Sequence, residues 1–541
     1  MVQVVFAALS SYLTCSLQIG DHRAATGLSD AMIILLLAAW LLYYCGIIIH
    51  RLYFSPLAKF PGPKLAAATG WYEFYHDYWR EGKYLFEIEK MHKKYGPIIR
   101  INPDELSIRD ADFYNELYVT ESKRRTNGHE LFCKGIDIDG SHLLTVDHDL
   151  HRRRRKPLEP FFSRLGVSRL QPMLAEVAMH LESRIRNLKG TNTVIRLEHA
   201  FSAFAGDTVG RICFDDGKPG GRFLDAPDFT PGWYDMIHAL ARSIPLFSQF
   251  PFIMQLLSLI PEWVLLRAYP QGQMVKGFRQ RATDHIRRAM ATTNGEKSSA
   301  GSGSPGSSEA SSLFHHIVAS DMPESERSEE RLAKEAQIIL GAGTVTVSRT
   351  MAYASFYILS RPELRAELEA ELREPMSDWP ARVPTWTELE RLPLLQAIIK
   401  ESLRLTYGVM HRLPRVSPDV PIQFREYTIP PGIPVGMSAY LQHSDPDVFP
   451  SPDRFMPERW LAGSVTPAMI RNYVPFSRGS RNCLGMNLAM AEMSLILAVL
   501  YRPGGPEFEL FETDESDVEQ AHDFVVPIPR LTSKGMRVLV R

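Results

Sequence analysis

Cysteine is scarce in this chain, and a net charge is almost absent. The 541 residues carry a formal net charge of −1, so no global field attracts nucleic acid or anionic lipid, and any electrostatic partner surface must be local. The chain has only five cysteines, Cys15, Cys45, Cys133, Cys213 and Cys483. Their odd number, without a CxxC pair or a regular spacing, argues against a disulfide scaffold and against a structural zinc site. The remaining composition, 45% hydrophobic and 23% charged, is typical of a globular chain with a large core and excludes a disordered or fibrous protein.

One long apolar run stands out near the N-terminus. Residues 31–49, AMIILLLAAWLLYYCGIII, are nineteen uncharged and mostly apolar positions, about the length that crosses a hydrocarbon layer of ~30 Å as a helix. The run predicts a transmembrane anchor over residues 31–50, preceded by a tail of residues 1–30. A cleaved signal peptide is the alternative, but its apolar region would be shorter, would begin nearer Met1 and would precede a cleavage site with small residues.

The charges that flank the run predict its orientation. Arg51, Lys59 and Lys64 follow it, whereas Asp21 and Asp30 precede it. By the positive-inside rule, the bulk of the protein then lies in the cytosol and the short N-terminal tail in the lumen. If the earlier stretch VVFAALSSYLTCSLQIG also spanned the membrane, the main domain would instead face the lumen.

Composition divides the rest of the chain into a hinge, a body and one insertion. The hinge, predicted over 51–64, contains FPGPK, in which two prolines around a glycine fix a stiff non-helical segment. Helical periodicity runs through 165–290 and 329–405. Between them, NGEKSSAGSGSPGSSEASS at 294–312 is too poor in apolar groups to pack, which predicts a flexible surface insertion. Because the chemistry below draws on both sides of this insertion, the prediction is one catalytic domain, 65–541.

A single cysteine lies in a bend that is rich in glycine and arginine, within PFSRGSRNCLGMNLAMAE. Gly479 and Gly485 allow the backbone to bend closely around Cys483, and helix-forming residues follow from Met486. Helix-terminal N–H groups and the nearby Arg481 are expected to favour the thiolate, the form that ligates a metal or attacks an electrophile. Without further context, a lone cysteine is also read as a small buried hydrophobe.

The sequence around this cysteine resembles the haem-binding signature FxxGxRxCxG of cytochrome P450 enzymes. The matching residues are Phe476, Gly479, Arg481, Cys483 and Gly485. The resemblance extends over essentially the whole chain from the anchor to the C-terminus. It implies that the protein binds haem b and that Cys483 is the axial ligand of the haem iron.

A second motif of the same family lies in KESLRL. Glu401 and Arg404 occupy its ExxR positions, and FMPERW supplies Arg459 as the expected third member of the network. Residues three apart on a helix share one face and can pair. Taken alone, such a pair is usually an exposed salt bridge of little consequence. Buried and joined by Arg459, it would instead fix the loop that holds the cysteine ligand, as it does in the family.

Haem carries two propionates, which need basic partners, and arginine suits carboxylates best. The resemblance implies three such partners, Arg481 in the cysteine loop, Arg415 in LPRVSPD and Arg155 in HDLHRRRRKPLEPFFS. The last stretch is similar to the family's WxxxR helix, but His151 stands where tryptophan is usual, so an imidazole must replace the indole contact. The other members of the run 152–156 are either a solvated face or a docking surface for an acidic redox partner.

The distal side of the haem is expected from AQIILGAGTVTVSRTM. Gly341, Ala342 and Gly343 would leave a groove for dioxygen and substrate, and close helix packing is the less favoured alternative. In the family pattern AGx(D/E)T, Ala342, Gly343 and the predicted catalytic hydroxyl of Thr346 match. Val345 occupies the acidic position, which removes the carboxylate that delivers protons in the family.

The resemblance implies a mainly α fold with a smaller β region and a monooxygenase that inserts one atom of dioxygen into an apolar small molecule. Similarity to fungal secondary-metabolite members, including the trichodiene oxygenase group, points to a terpenoid or polyketide intermediate. The sequence resembles no flavin or nicotinamide module, so electrons are expected from a separate partner. The resemblance implies that this partner is a membrane-bound NADPH-dependent cytochrome P450 reductase, with cytochrome b5 as a further candidate. Two alternatives remain: a haem-thiolate isomerase, dehydratase or peroxide-dependent enzyme, and a membrane-tethered haem sensor, which the small-residue groove and Thr346 disfavour.

Overall fold

Helices make up most of the chain, as the periodicity predicts. The computed structural model describes residues 22–130, 140–214, 223–257, 259–269, 272–299 and 312–541. In chain order its α-helices are α1 (His22–Ile49), α2 (Lys64–Ala68), α3 (Trp71–Phe74), α4 (Tyr84–Tyr95), α5 (Tyr114–Leu117), α6 (His148–Arg155), α7 (Glu159–Phe162), α8 (Arg164–Arg169), α9 (Gln171–Arg186), α10 (Leu197–Phe214), α11 (Pro231–Gln249), α12 (Phe252–Leu257), α13 (Glu262–Ala268), α14 (Gly272–Ser299), α15 (Leu313–Ala319), α16 (Glu329–Ser360), α17 (Pro362–Leu372), α18 (Trp386–Leu389), α19 (Pro393–Thr406), α20 (Ala439–His443), α21 (Pro467–Asn472) and α22 (Met486–Tyr501).

Short strands form the smaller β region. They are β1 (Ile98–Arg100), β2 (Leu106–Ile108), β3 (Ile195–Arg196), β4 (Arg415–Val416), β5 (Ile422–Phe424), β6 (Tyr427–Ile429), β7 (Pro434–Gly436), β8 (Phe508–Leu510), β9 (His522–Phe524), β10 (Val526–Ile528) and β11 (Arg537–Val540). A four-stranded sheet has the order β1-β2-β7-β4, a three-stranded sheet has the order β3-β11-β8, and β5-β6 and β9-β10 are hairpins. In the larger sheet β2 runs parallel to β7, with Leu106 opposite Val435, and β4 runs antiparallel to β7. The mainly α fold with a smaller β region is therefore confirmed.

Helix α16 is the axis of the helical core. Its N-cap is Ser328, and two acidic residues, Glu329 and Glu330, lie in its first turn, where negative charge is stabilised by the helix dipole. It packs against α10, α14, α19 and α22, and most of its side chains are buried. The helix ends at Ser360, because Pro362 disfavours a helical conformation for the residue before it. This long buried helix therefore crosses the interior of the catalytic body.

The N-terminal helix differs from α16 because its long apolar span lies outside the protein core. The span Met32–Phe54 has a mean hydropathy of 2.5 and is 0% buried. Its end is attached to the body, since Arg100 Nη1 donates to Arg51 O at 2.7 Å and Arg51 Nη1 donates to Ala68 O at 3.0 Å. Within the described part of the chain, one helix is thus long and apolar enough to cross a membrane.

The predicted segment boundaries are only partly visible. Residues 1–21 of the predicted tail and 300–311 of the predicted insertion lie outside the described residues. Helix α14 continues to Ser299, so the first part of the predicted insertion is helical. The predicted hinge contains a π-helical turn, His50–Phe54, before the prolines.

Candidate functional site

The cysteine loop connects α21 to α22 and is shaped by one obligatory glycine. Gly479 has φ +74°, and a Cβ added there would lie 2.4 Å from Val119 O, so only glycine fits without displacing backbone. The Cys483 N–H donates to Phe476 O at 2.9 Å and closes the bend. Gly485 behaves differently, because its φ is −85° and a Cβ there would meet open space. No contact with a described residue therefore requires a glycine at position 485. The open space beside Gly485 lies two residues from Cys483.

The Cys483 thiol keeps accessible surface although protein surrounds it. The residue is exposed, yet burial raises the pKa of its thiol, against the Gly485 N–H and the charge of Arg155, which both lower it. The residue thus keeps accessible surface at a position where the surrounding protein still desolvates the thiol. The sequence-based expectation was wrong in one respect: the protein by itself does not favour the thiolate, because desolvation of the anion outweighs the helix terminus. Arg155 is the cation whose charge lowers the pKa of the thiol.

Arg155 connects the cysteine loop to α6. Asp147 caps that helix by accepting from Leu150 N at 2.8 Å, and the helical spacing places His151 and Arg155 on one face. Arg155 donates to Asn482 O at 2.6 Å and to Asn482 Oδ1 at 2.9 Å, and it pairs with Glu159 at 3.1 Å. The guanidinium thus fixes the residue next to Cys483.

Arg481 and Arg415 are both held inside the protein by backbone carbonyls. Arg481 donates to Thr145 O at 2.6 Å and to Val146 O at 2.7 Å, and burial followed by the charge of Arg415 lowers its pKa to about 9. Among the described residues, Arg415 makes only long hydrogen bonds, to Leu413 O at 3.5 Å and Pro414 O at 3.3 Å. Its guanidinium lies over the Tyr118 ring, 5.2 Å from the centroid, and burial lowers its pKa. Two mutually repelling guanidiniums therefore lie together without a carboxylate hydrogen-bonded to either one among the described residues.

His151 lies among these arginines. It is 2% exposed, and its Nδ1 has no hydrogen-bond partner among the described residues. Burial and, after it, the charge of Arg481 lower its pKa to about 2, so the ring is a neutral imidazole with an unused polar atom. The predicted propionate partners thus lie close enough for their charges to interact. Arg155 pairs with the carboxylate of Glu159, whereas Arg415 and Arg481 form no ion pair among the described residues. A ligand with two carboxylates, such as haem, fits this cluster, and the open space at Gly485 and the accessible sulfur fit the same ligand.

The distal helix presents one open strip on an otherwise buried surface. Ala342 is exposed and Thr346 is half-buried, although both lie in the middle of α16. The Thr346 hydroxyl donates to Ala342 O at 2.8 Å. A Cβ at Gly343 would lie 2.8 Å from Val209 Cγ2, so Gly343 serves the packing of α16 against α10. The open strip is therefore Ala342 and Thr346, and for Gly343 the packing alternative describes the structure better than the predicted groove.

Val345 does not share this strip. Its side chain is 1% exposed, whereas Thr346 next to it retains accessible surface. The residue that departs from the family pattern is thus packed in the protein interior and lines no described part of the open strip.

Glu401 is the centre of a fully buried hydrogen-bond network. Arg404 donates to its two carboxylate oxygens at 2.9 and 2.8 Å, and Arg459 Nε donates at 3.0 Å. Trp460 Nε1 also donates to Glu401, at 2.8 Å. The three predicted members therefore meet as expected, and Trp460, the last letter of FMPERW, is a fourth member that the sequence did not indicate.

His443 extends this network to the cysteine loop. Its Nδ1 donates to Arg404 O at 2.9 Å, and its Nε2 accepts from Val474 N at 2.9 Å, immediately before the loop begins. The imidazole is 0% exposed, so it is a neutral bridge between α19 and the loop. Sequence reasoning missed His443, since a single histidine in LQHSDPDVF carries no local signal.

Comparisons with known proteins agree with this geometry. The family model "Cytochrome P450" matches residues 66–532. The chain is 52% identical over 508 residues to Cytochrome P450 monooxygenase oblB of Aspergillus clavatus, covering 93% of this chain and 96% of that protein. It is 49% identical over 500 residues to fusicoccadiene C-8 hydroxylase of Phomopsis amygdali, covering 91% and 93%. It is 44% identical over 533 residues to stellatic acid synthase of Emericella variicolor, covering 93% and 94%.

Membership fixes the general chemistry. Proteins of this family use haem with a cysteine thiolate ligand, dioxygen and a redox partner. The chain belongs to the cytochrome P450 family, and it is a haem-thiolate monooxygenase of the kind found in fungal secondary metabolism.

Proposed function

We propose that this enzyme hydroxylates or epoxidises a terpenoid hydrocarbon in fungal secondary-metabolite biosynthesis. The observation that carries the proposal is the 49% identity, over most of both chains, to a protein named for hydroxylation of fusicoccadiene at C-8. A polyketide substrate, the other class that the sequence suggests, has no counterpart in the names of the relatives reported above.

Four groups would hold the haem at the proximal side. Cys483 would ligate the iron, and Arg155, Arg415 and Arg481 would bind the propionates with the unused Nδ1 of His151 beside them. Binding of the two propionate carboxylates would offset the repulsion between the clustered guanidiniums. Each guanidinium that contacts a propionate would form a charge-assisted hydrogen bond with it. The loop residues Phe476, Gly479 and Gly485 would keep the sulfur in place. Haem bound there supplies the activation of dioxygen.

Thr346 would order water on the distal side, where the small side chain of Ala342 leaves the helix surface open. Its hydroxyl proton is used by Ala342 O, so its oxygen lone pairs are the part that remains for the open strip. A water that donates to Thr346 Oγ1 would be oriented toward the substrate side of the strip. The apolar side chain of Val345 carries no proton, so protons would arrive on such waters.

The proposed membrane association has two supports. The first is the apolar span Met32–Phe54. The second is a set of exposed aromatic side chains on the body, among them Trp71 at 51% and Trp263 at 70% exposure. Phe250 packs on Trp71 with ring centroids 5.7 Å apart, which joins α3 to the segment after α11. Aromatic rings of this kind favour the interface between water and lipid, so we infer a single-pass protein of the endoplasmic reticulum with residues 1–30 in the lumen, 31–50 as anchor, 51–64 as hinge and 65–541 in the cytosol.

The proposed redox partner is an NADPH-dependent cytochrome P450 reductase, with cytochrome b5 as a second electron donor. Within the arginine run after His151, Arg153 and Lys156 are exposed, whereas Arg154 pairs with Glu326 at 2.7 Å. Two cations on the outside of α6, the helix that also carries Arg155, suit an acidic docking surface.

The test is product analysis in a host that expresses the full chain with a reductase. Terpenoid hydrocarbons, with polyketides as the comparison set, are supplied under heavy-isotope dioxygen. The proposal expects a terpenoid product that gains one labelled oxygen and requires NADPH. Conversion of polyketides alone would contradict the substrate class. A product that carries no label and forms without NADPH would instead favour the isomerase or dehydratase alternative, which the missing acid at Val345 keeps open.

A further inference from the structure

A buried ionic network connects the start of α16 to the segment that precedes α6. Glu335 is 0% exposed. His142 Nδ1 lies 2.5 Å from its Oε1, and the His142 backbone N–H donates to Oε2 at 3.1 Å. Arg331, one turn earlier in the helix, pairs with the same carboxylate at 2.9 Å. The carboxylate therefore holds both the ring and the backbone of His142.

A second carboxylate continues the network to α6. Arg154 donates to Glu326 at 2.7 and 3.2 Å, and Arg331 Nε lies 3.4 Å from the same group. Arg154 also donates to Thr145 Oγ1 at 2.9 Å, and that hydroxyl donates to Ser141 O at 2.7 Å. Residues 141–145 are thus tied at both ends, by Glu335 at His142 and by Arg154 at Thr145.

The segment held in this way carries the acceptors of Arg481. The Thr145 N–H donates to His142 O at 3.4 Å, which closes a turn between the two tied residues. Arg481 then donates to Thr145 O at 2.6 Å and to Val146 O at 2.7 Å. A continuous chain of contacts therefore runs from α16 through His142 and Thr145 to the arginine of the cysteine loop.

Packing alone does not explain two acids and two arginines in this place. Removing a carboxylate such as Glu335 from water is unfavourable, and only good geometry with several donors compensates for it. Burial acts to raise the pKa of Glu335, but His142 and Arg331 outweigh it and leave the pKa below its usual value. The carboxylate stays ionised, so it binds His142 as an anion.

We propose that Glu335 and His142 are positioning residues for the haem site: they fix the 141–147 segment so that its carbonyls orient Arg481 toward a haem propionate. The inference rests on the proposed role of Arg481 and does not depend on the identity of the substrate. Helix α16 would then have two functions. Its first turns would position the 141–147 segment, and its middle would provide the open strip at Ala342 and Thr346.

The test uses the full-length haem protein and measures haem retention. Glu335→Gln keeps the size of the side chain but removes its charge. The matched control is Glu329→Gln in the same helix, where the exposed carboxylate pairs with Arg287 at 2.7 Å. The rate of haem transfer to apomyoglobin is measured for each variant, together with the reduced carbon monoxide spectrum and the resonance Raman bands of the propionates.

We expect Glu335→Gln to release haem about tenfold faster, an ordinary size for a change within one hydrogen-bond network. The propionate bands should shift while the thiolate-type Soret band stays, and Glu329→Gln should match the wild type. In an Arg481→Ala background, Glu335→Gln should add little, because the residue that it positions is already absent.

Two results would overturn the inference: an unchanged rate of haem transfer in Glu335→Gln, or effects of Glu335→Gln and Arg481→Ala that multiply independently. If Glu335→Gln fails to fold, the same cycle with His142→Asn decides between these outcomes. Failure of every terpenoid to be oxidised would refute the proposed function but would leave the haem-transfer result standing.

Discussion

Replacement of Glu401 by alanine is expected to abolish the folded haem protein and not merely to slow turnover. The Glu401 carboxylate accepts hydrogen bonds from Arg404, Arg459 and Trp460 within a network that is fully buried. Removing one partner of a buried ion pair costs about 3 to 5 kcal/mol. The unsatisfied Trp460 N–H adds about 1 to 3 kcal/mol. The sum, roughly 4 to 8 kcal/mol, compares with a total stability of about 5 to 15 kcal/mol for a typical domain.

The assay is haem content, from the reduced carbon monoxide spectrum, alongside thermal unfolding of the purified protein. Glu369→Ala is the matched control, because Glu369 pairs with Arg365 at 2.9 Å on the half-exposed surface of α17, where such pairs contribute little. We expect Glu401→Ala and Arg459→Ala to lose haem-loaded protein and Glu369→Ala to retain it. Normal haem content with a selective loss of activity in Glu401→Ala would refute the structural role.

Four further predictions concern the ligand, the loop, the distal hydroxyl and the anchor. Cys483→Ser should lose the thiolate-type Soret band of the reduced carbon monoxide complex, and survival of that band would show that another residue ligates the iron. Gly479→Ala should lower thermal stability and haem content, because a Cβ would lie 2.4 Å from Val119 O at a φ of +74°; wild-type values would contradict the obligatory glycine. Thr346→Val should uncouple turnover, so that NADPH consumption continues while product falls and hydrogen peroxide rises; unchanged coupling would remove the role of its hydroxyl. Deletion of residues 1–50 should weaken membrane association but spare haem binding, and a truncated protein that pellets as strongly as the full chain would contradict the anchor.

The sequence predicts the site best where the residues are neighbours in the chain. Gly479 and Cys483 share one loop, and Glu401 and Arg404 share one helical face, so local spacing alone brings each pair together. Trp460 reaches Glu401 across 59 positions, a contact that depends on how the loop before α21 folds back. Such contacts follow from tertiary packing, which periodicity does not encode.

The two misread features have the same physical origin. Gly343 matches a family groove, but Val209 of another helix approaches within 2.8 Å of its Cβ position, so the reason for the glycine lies in α10. The sulfur of Cys483 was expected to be a thiolate because of its helix terminus and Arg481. The pKa of the Cys483 thiol is instead raised mainly by burial of the site. Burial depends on the tertiary fold and cannot be read from the local motif.

The side chains of Val345 and Thr346 limit the route by which protons can reach the open strip. An acid at this position would be buried and would lie four residues before Arg349, itself 7% exposed and one turn further along the same face. A carboxylate there could pair with that guanidinium, whereas a valine cannot. The Thr346 hydroxyl already donates its proton to Ala342 O, so in this conformation the oxygen only accepts hydrogen bonds. Because neither side chain has a proton to give in this arrangement, we propose that water in the open strip carries the protons and that Thr346 orients this water.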